Sequence, residues 1–167
     1  MISPTCDIDR IMAVMATAFD PEYGEAWTRR QIEDALLVGN CHYLLADPFG
    51  EDCSGEATAD SANELVLPIA GFVLSRGGYG EEDLLLFAVA PEYRGKGVGD
   101  RLLQRFAVTA HARGAARLLL EMRRGNPAES LYLRHGFVPV GLRKSYYCTR
   151  SGPRLDAITF CCPNQLD

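Results

Sequence analysis

The spacing of apolar residues along the chain predicts helices and strands in a definite order. Residues 7–19 place their apolar side chains on one helical face. Residues 29–39 predict a second helix, which Thr28 can cap and Gly39 can end. Three extended segments follow, at residues 41–46, 65–76 and 83–89. The last of them is continuously apolar, as expected of a strand that is covered on both faces.

The second half of the chain continues this alternation of helix and strand. Apolar residues recur every four positions from Val98 to Ala110 and predict a helix over residues 98–113. The later elements are a strand at residues 116–122, a short helix, and an antiparallel pair of strands at residues 137–148 and 154–162. Because a helix lies between two buried strands, we expect a β-α-β crossover within an otherwise hairpin-connected, mixed sheet.

Three residues mark the start of the short helix. Asn126 is a favoured capping residue, Pro127 suits the first helical position, and Glu129 stands three residues after the cap. We therefore expect this helix to begin at Pro127 and to end at Gly136.

Composition and charge narrow the classes of function. The chain has 167 residues and a formal charge of -5, which suits one domain over residues 1–167. An acidic, turn-rich stretch at residues 47–64 predicts a mobile loop insertion, and the remainder is nearly neutral. No basic patch indicates nucleic-acid binding. No apolar run reaches the roughly 20 residues of a membrane span, and the N-terminus does not resemble a signal peptide. We expect a cytoplasmic protein with no nucleic-acid or membrane partner.

The six cysteines form no CxxC pair, and the chain has only three histidines. This pattern argues against a zinc site or a disulfide framework. Reduced thiols and no metal are therefore expected.

Three glycines separate a strand from a helix in VAPEYRGKGVGDRLL, residues 89–103. Gly95, Gly97 and Gly99 stand at alternate positions, and neither the Walker pattern nor the dinucleotide pattern GxGxxG fits them. A nest of backbone N–H groups at the helix N-terminus would bind an anion, and Arg94 and Lys96 would add positive charge. On these residues alone, an anion site and an ordinary tight turn remain equally open.

The same stretch resembles the acyl-CoA pyrophosphate motif of the GCN5-related N-acetyltransferases (GNAT), R/Q-x-x-G-x-G/A. Arg94, Gly97 and Gly99 stand at the fixed positions of the motif. NPAESLYLRHGF, residues 126–137, is similar to a second segment of that family, N-x-x-A-x-x-x-Y-x-x-x-G-F, with one residue fewer between Asn126 and Tyr132. The resemblance spans about the whole chain.

Four further runs resemble one branch of the family, the RimI type or ribosomal-protein-alanine N-acetyltransferases. They are LLLEMRRGN, RKSYY, DAITF and, near the second helix, EAWTRRQIEDAL. Met122, Cys148 and the long acidic stretch depart from the pattern of that branch. The acidic stretch bears on partners and substrate preference and leaves the fold unaffected.

The resemblance implies an α/β (α+β) GNAT fold with a mixed central sheet of about six to seven strands flanked by helices. It also implies acetyl-CoA as co-substrate and a bulge in the strand before the glycines. The implied coenzyme A contacts are Phe87, Ala88, Val89, Arg94, Gly95, Lys96, Gly97, Val98, Gly99, Asp100 and Asn126.

The resemblance further implies which groups carry the chemistry. Acetyl transfer to an amine requires a proton acceptor for the nitrogen and a proton donor for the departing thiolate. Glu121 stands at the position of the proton acceptor, acting directly or through water, and Tyr132 at that of the donor. By residue type alone, Glu121 could be a solvated strand residue and Tyr132 a core aromatic. Trp27, Tyr146 and Tyr147 are candidate walls of a peptide groove.

The expected function is acetylation of a protein N-terminus, alanine first, with ribosomal protein S18 as the leading candidate. Two alternatives remain open. The same fold could acetylate a lysine side chain or a small-molecule amine, or the chain could be a non-catalytic acyl-CoA-binding module. The presence of both Glu121 and Tyr132 argues against the second alternative.

Overall fold

The structure, a computed structural model, describes residues 4–55 and 68–163. In chain order its elements are α1 (Pro4–Ala18), α2 (Arg29–Leu37), β1 (Cys41–Ala46), β2 (Gly71–Gly78), β3 (Glu81–Val89), α3 (Val98–Ala112), β4 (Arg117–Arg123), α4 (Glu129–Arg134), β5 (Val138–Cys148) and β6 (Arg154–Pro163). Short 3₁₀ turns stand at Pro21–Tyr23 and Pro91–Tyr93. None of the helices in these two ranges has the length and apolar character needed to cross a membrane.

The strands form one sheet in the order β1-β2-β3-β4-β6-β5. β3 and β4 are parallel, and every other neighbouring pair is antiparallel. The predicted α/β class with a mixed sheet flanked by helices is therefore confirmed. The β3-α3-β4 crossover and the antiparallel pair of the last two strands are confirmed as well.

Helices cover both faces of this sheet with apolar side chains. α3 buries Val98, Leu102, Phe106 and Ala110 on one face, which confirms the stripe predicted from the sequence. α1 and α2 bury a second cluster on the other face. Each fully buried aliphatic or aromatic side chain stabilises the fold by about 1.5–3 kcal/mol, so the two clusters fix the sheet between the helices.

A β-bulge lies in β3, before the glycine-rich turn. Leu85 is the extra residue, because Leu84 and Leu86 pair with consecutive residues of β2. Leu84 packs in the cluster beneath α3, whereas Leu86 and Ala88 pack in the cluster beneath α1. The bulge that the family resemblance implied is therefore confirmed, and it exchanges the two faces of β3.

β3 and β4 separate beyond this bulge. Their parallel ladder runs from Glu81 and Arg117 to Leu84 and Leu120 and then stops. From Leu86 onward, β3 remains paired with β2 but not with β4. The separation leaves residues 85–88 without ladder partners on the β4 side, while the Val89 carbonyl accepts from Arg94.

Two predicted segments differ from the structure in their bounds. The strand expected at residues 65–76 begins only at Gly71, after Pro68, which has no N–H to donate to a ladder; residues 65–67 lie outside the described residues. Of the acidic stretch, residues 56–64 also lie outside them. Residues 47–55 pack against the fold, since Cys53 is buried and the Gly55 N–H donates to Asp7 Oδ2 at 2.9 Å. This described part differs from the mobile loop that composition suggested.

The predicted start of α4 is also wrong, by two residues. Asn126 Oδ1 accepts from the N–H of Ala128 at 2.9 Å, and the Asn126 carbonyl accepts from Glu129 N at 3.1 Å. Asn126 therefore closes a separate turn, and α4 begins at Glu129. Asn side chains form such local turns as readily as helix caps, so the residue type alone does not distinguish the two.

Candidate active site

A cavity of about 830 Å³ opens where β3 and β4 separate. Its walls are the end of β3, the glycine turn, α4 and the segment between α1 and α2. Most of the residues predicted from the sequence line it: Phe87, Ala88, Val89, Arg94, Gly95, Gly97, Gly99, Asp100, Asn126 and Tyr132. The structure thus brings together residues from four separate elements.

Other predicted residues do not line this cavity. The Val98 side chain is buried in the core, and the Lys96 ammonium lies 5.8 Å from the ring centre of Tyr93. Trp27 packs against the apolar cluster beneath α1. Glu121, Tyr146 and Tyr147 belong to neighbouring strands and are also absent from the lining.

The glycines of the turn serve different purposes. Gly95 and Gly97 have φ values of +72° and +81°, which side-chain-bearing residues rarely adopt. Gly99 lies close to its neighbours, and a Cβ there would stand 3.4 Å from Leu131 Cδ2. α3 begins directly after Gly97, so the first N–H groups of the helix have no helical acceptor. Such a terminus attracts anions.

Arg94 and Asp100 fix the two sides of this turn. The Arg94 guanidinium donates to the carbonyls of Val89 and Ala18, both at 2.9 Å, and so ties the turn to β3 and α1. Asp100 is held by His135 Nε2 at 2.9 Å and by Arg134 at 3.0 Å. The hydrogen bond with His135 and the one from Arg134 lower the pKa of Asp100. The charge of this carboxylate near the N-terminus of α3 is thereby partly neutralised.

Tyr132 reaches the cavity from the core side of α4. Its ring forms T-shaped pairs with Phe87 at 6.0 Å and with Phe137 at 5.9 Å between ring centres, so packing against two aromatic rings holds the phenol. Burial, and secondly the charge of Glu25, raise the pKa of Tyr132. The phenol therefore stays protonated near neutral pH and is able to donate a proton.

Glu121 is held beside the cavity by contacts across the sheet. Its Oε2 lies 3.2 Å from Arg143 Nε and accepts a hydrogen bond from the Thr159 hydroxyl at 3.5 Å. The side chain retains 25% of its exposure. Burial raises the pKa of Tyr147 to about 12, and the charges of Glu121 and Glu25 act in the same direction. Tyr147 thus lies within electrostatic range of both carboxylates.

The sequence analysis did not identify a second carboxylate, Glu25, which lines the cavity itself. Its Oε1 lies 3.1 Å from Arg123 Nε, and the Arg123 guanidinium stacks on the Tyr23 ring at 3.5 Å. Burial raises the pKa of Glu25, although Arg123 acts in the opposite direction. Glu25 belongs to an irregular segment, where no periodicity marks a residue. The signal in the sequence was the group of three acids after α1, Asp20, Glu22 and Glu25.

Hydrogen bonds hold that segment in place. The Asp20 side chain accepts from Glu22 N at 2.9 Å and caps the turn Pro21–Tyr23. The Glu22 carboxylate accepts from Ser151 N at 3.0 Å and from the Ser151 hydroxyl, and the Glu22 carbonyl accepts from Arg150 N at 3.0 Å. The α1–α2 segment is thereby attached to the turn between β5 and β6.

Comparison with known proteins identifies similar acetyltransferases. Residues 57–139 match the family model described as an acetyltransferase (GNAT) domain. The chain is 36% identical over 94 residues to the ribosomal protein bS18-alanine N-acetyltransferase of Haemophilus influenzae, which is 56% of this chain and 64% of that relative. It is 36% identical over 96 residues to the protein of the same name from Escherichia coli K12, with 57% and 64% covered. The chain thus spans just under two thirds of the length of these relatives.

A solved structure extends the similarity over the whole fold. The crystal structure of the ribosomal-protein-S18-alanine N-acetyltransferase from Escherichia coli superposes with a TM-score of 0.74. The alignment covers 100% of this chain and 94% of that one at 24% identity. At this identity the likeness establishes the fold.

Proposed function

The chain carries a domain of the GNAT acetyltransferase family, and from this premise we propose that it transfers the acetyl group of acetyl-CoA to the N-terminal amine of a protein. The observation that carries the proposal is the cavity between β3 and β4, where the glycine turn and Tyr132 meet. Relatives named as acting on ribosomal protein bS18 support the corresponding S18 protein, with alanine first, as the substrate. We place this activity in the cytoplasm.

The walls of the cavity suit acetyl-CoA. The pyrophosphate fits the open N–H groups between Gly95 and Asp100, where the helix dipole favours negative charge. The pantetheine arm fits beside Phe87, Ala88 and Val89, a part of β3 that has no ladder pairing with β4. Asn126 lies on the opposite wall. This path directs the thioester toward Tyr132.

The proposed chemistry is direct attack of the amine on the thioester. Tyr132, with its raised pKa, holds a proton that it gives to the sulfur as the C–S bond breaks. Glu121 accepts one proton from the attacking nitrogen through a water molecule, because its carboxylate lies beside the cavity and not in its wall. Removing such a group typically costs about 10²–10⁴-fold in rate.

Tyr146 and Tyr147 are proposed to line the path of the peptide outside the cavity. Their rings stand edge-on at 5.3 Å, and Tyr147 is half-buried while Tyr146 is exposed. Trp27 is proposed to support the wall from behind, since it packs on the cluster beneath α1.

Gly97→Val is expected to weaken acetyl-CoA binding by at least tenfold, roughly 1.4 kcal/mol. Valine would have to adopt the positive φ of Gly97, and its methyl groups would stand over the N–H groups that receive the phosphates. Calorimetric titration with acetyl-CoA measures the effect. Gly80→Val is the matched control, because Gly80 also has a positive φ, +76°, but lies at the β2–β3 turn. Equal affinities of the two folded variants would contradict the assignment.

N-terminal specificity is tested with peptides that differ only at residue one. We expect acetylation of a free alanine terminus and a slower reaction with bulky first residues, because displacing the amine from attack distance lowers the rate steeply. An N-blocked peptide with an internal lysine, and a small-molecule amine, complete the panel. Acetylation of the blocked peptide at the same rate would replace the N-terminal proposal with the lysine one.

A further inference from the structure

Three carboxylates line the cavity, and their environments differ. Asp20 is exposed and caps a turn, and Asp100 is bound by Arg134 and His135. Glu25 is the most enclosed of them, with 16% of its side chain exposed. Among residues 4–55 and 68–163, the Glu25 carboxylate has one polar contact, the ion pair with Arg123. Glu25 thus differs from the other two carboxylates of the wall in combining low exposure with a single ion-pair partner.

Neighbouring contacts hold the Glu25–Arg123 ion pair in place. Arg123 is 11% exposed and is clamped on its other side by the Tyr23 ring. The backbone around Glu25 is anchored through Glu22 to Ser151 on the β5–β6 turn. A partly buried ion pair is weak evidence for stability, because desolvating both charges offsets their attraction. The burial of this pair inside a cavity wall thus calls for a functional explanation.

Glu25 also lies near the reacting groups. Its charge raises the pKa of both Tyr132 and Tyr147, which places it within electrostatic range of the proposed proton donor and of the proposed peptide path. Glu121, by comparison, is held outside the wall by Arg143 and Thr159.

The proton balance of the proposed reaction leaves a role for such a group. An N-terminal amine has a pKa of about 7.7–8.0, so it enters mostly as an ammonium near neutral pH. An ammonium nitrogen must lose two protons before it becomes an amide nitrogen. Glu121 accounts for one of them, which leaves the first deprotonation without an assigned group.

We propose, resting on the acetyltransferase function above, that Glu25 is a catalytic residue that contacts the acceptor ammonium and takes its first proton. The neutral amine then forms the N–C bond with the thioester carbonyl. The C–S bond breaks, and the sulfur takes the Tyr132 proton. The nitrogen loses its second proton to Glu121 through water. Glu25 returns its proton to the Tyr132 phenolate, and Glu121 releases its own proton to solvent. The products are the amide, coenzyme A as its thiol and one proton.

The test compares Glu25→Gln with wild type across pH, with an alanine-first peptide and saturating acetyl-CoA. Near pH 7 the variant is expected to lose up to about tenfold in kcat, because only about a tenth of an amine with a pKa of about 8 is neutral at that pH. The loss should shrink toward about pH 9, because the amine is then neutral without help from the protein. Glu121→Gln should keep its defect over the same range, since its proton leaves only during attack. Glu33→Gln, an exposed carboxylate on α2, is the control for loss of a surface charge.

Two results would overturn the proposal: wild-type kcat in Glu25→Gln, or a loss of equal size at every pH. Circular dichroism and acetyl-CoA titration establish that the variant is folded. If it is not, Glu25→Asp keeps the carboxylate with a shorter reach and should show a smaller loss with the same pH trend. A wild-type protein that acetylates no peptide would instead refute the proposed function, so the two failures are distinguishable.

Discussion

Tyr132→Phe is expected to lower kcat by about 10²–10⁴-fold while leaving affinity for acetyl-CoA nearly unchanged. The substitution removes only the hydroxyl that is proposed to protonate the departing sulfur. The ring contacts with Phe87 and Phe137 do not depend on that oxygen, so the core beneath α4 should keep its packing. Steady-state release of coenzyme A from acetyl-CoA and an alanine-first peptide measures kcat, and calorimetry measures affinity.

The control for this variant is Tyr79→Phe. Tyr79 is fully exposed at the β2–β3 turn, at the opposite end of β3 from the cavity. Its substitution removes the same atom without touching the proposed chemistry and should leave kcat unchanged. A folded Tyr132→Phe protein with wild-type kcat would assign the sulfur's proton to another donor, such as water.

Local patterns in the sequence predicted most of the fold. The four-residue repeat from Val98 to Ala110 fixed the buried face of α3, because that periodicity is a property of the helix alone. The position of the glycines between a strand and this helix left an anion site and a tight turn equally open, and the family resemblance favoured the anion site. The β3-α3-β4 crossover followed from the order of the elements.

Features that depend on contacts between distant segments could not be predicted in this way. Glu25 acquires its burial from Arg123, which lies on β4, and from an irregular segment held by the β5–β6 turn. No periodicity marks either contact. Glu121 had the right residue type at the family position, but its pairing with Arg143 depends on how β4, β6 and β5 are ordered in the sheet. The sequence therefore identified Glu121 as a candidate but could not predict where its carboxylate lies relative to the cavity.

The separation of β3 from β4 connects the fold with the proposed function. A bulge of one residue at Leu85 exchanges the faces of β3, so Leu84 and Leu86 pack on opposite sides of the sheet. Beyond it the parallel ladder ends, and residues 85–88 have no ladder partners on the β4 side. Such unpaired groups would be costly in a closed core. In an open cleft they can be satisfied by an extended ligand such as the proposed pantetheine arm.

Glu121→Gln is expected to lower kcat by about 10²-fold or more without unfolding the protein. Glutamine has the same shape and can still accept from the Thr159 hydroxyl, but it cannot take a proton from nitrogen. The variant also loses the ion pair with Arg143, an exposed contact worth about 0–1 kcal/mol, so the free energy of unfolding should change little. Single-turnover acetylation of an alanine-first peptide measures the chemical step directly.

Arg143→Gln separates these two effects, because it breaks the same ion pair and keeps the carboxylate. If Glu121 accepts the proton, Arg143→Gln should retain most of the rate that Glu121→Gln loses. Equal losses in the two variants would mean that the ion pair supports the site and that the carboxylate does not act as a base. A full rate in Glu121→Gln, together with a large loss in Glu25→Gln, would assign both deprotonations to the carboxylate inside the cavity. The three variants together therefore determine which carboxylate receives the proton that leaves the nitrogen during attack.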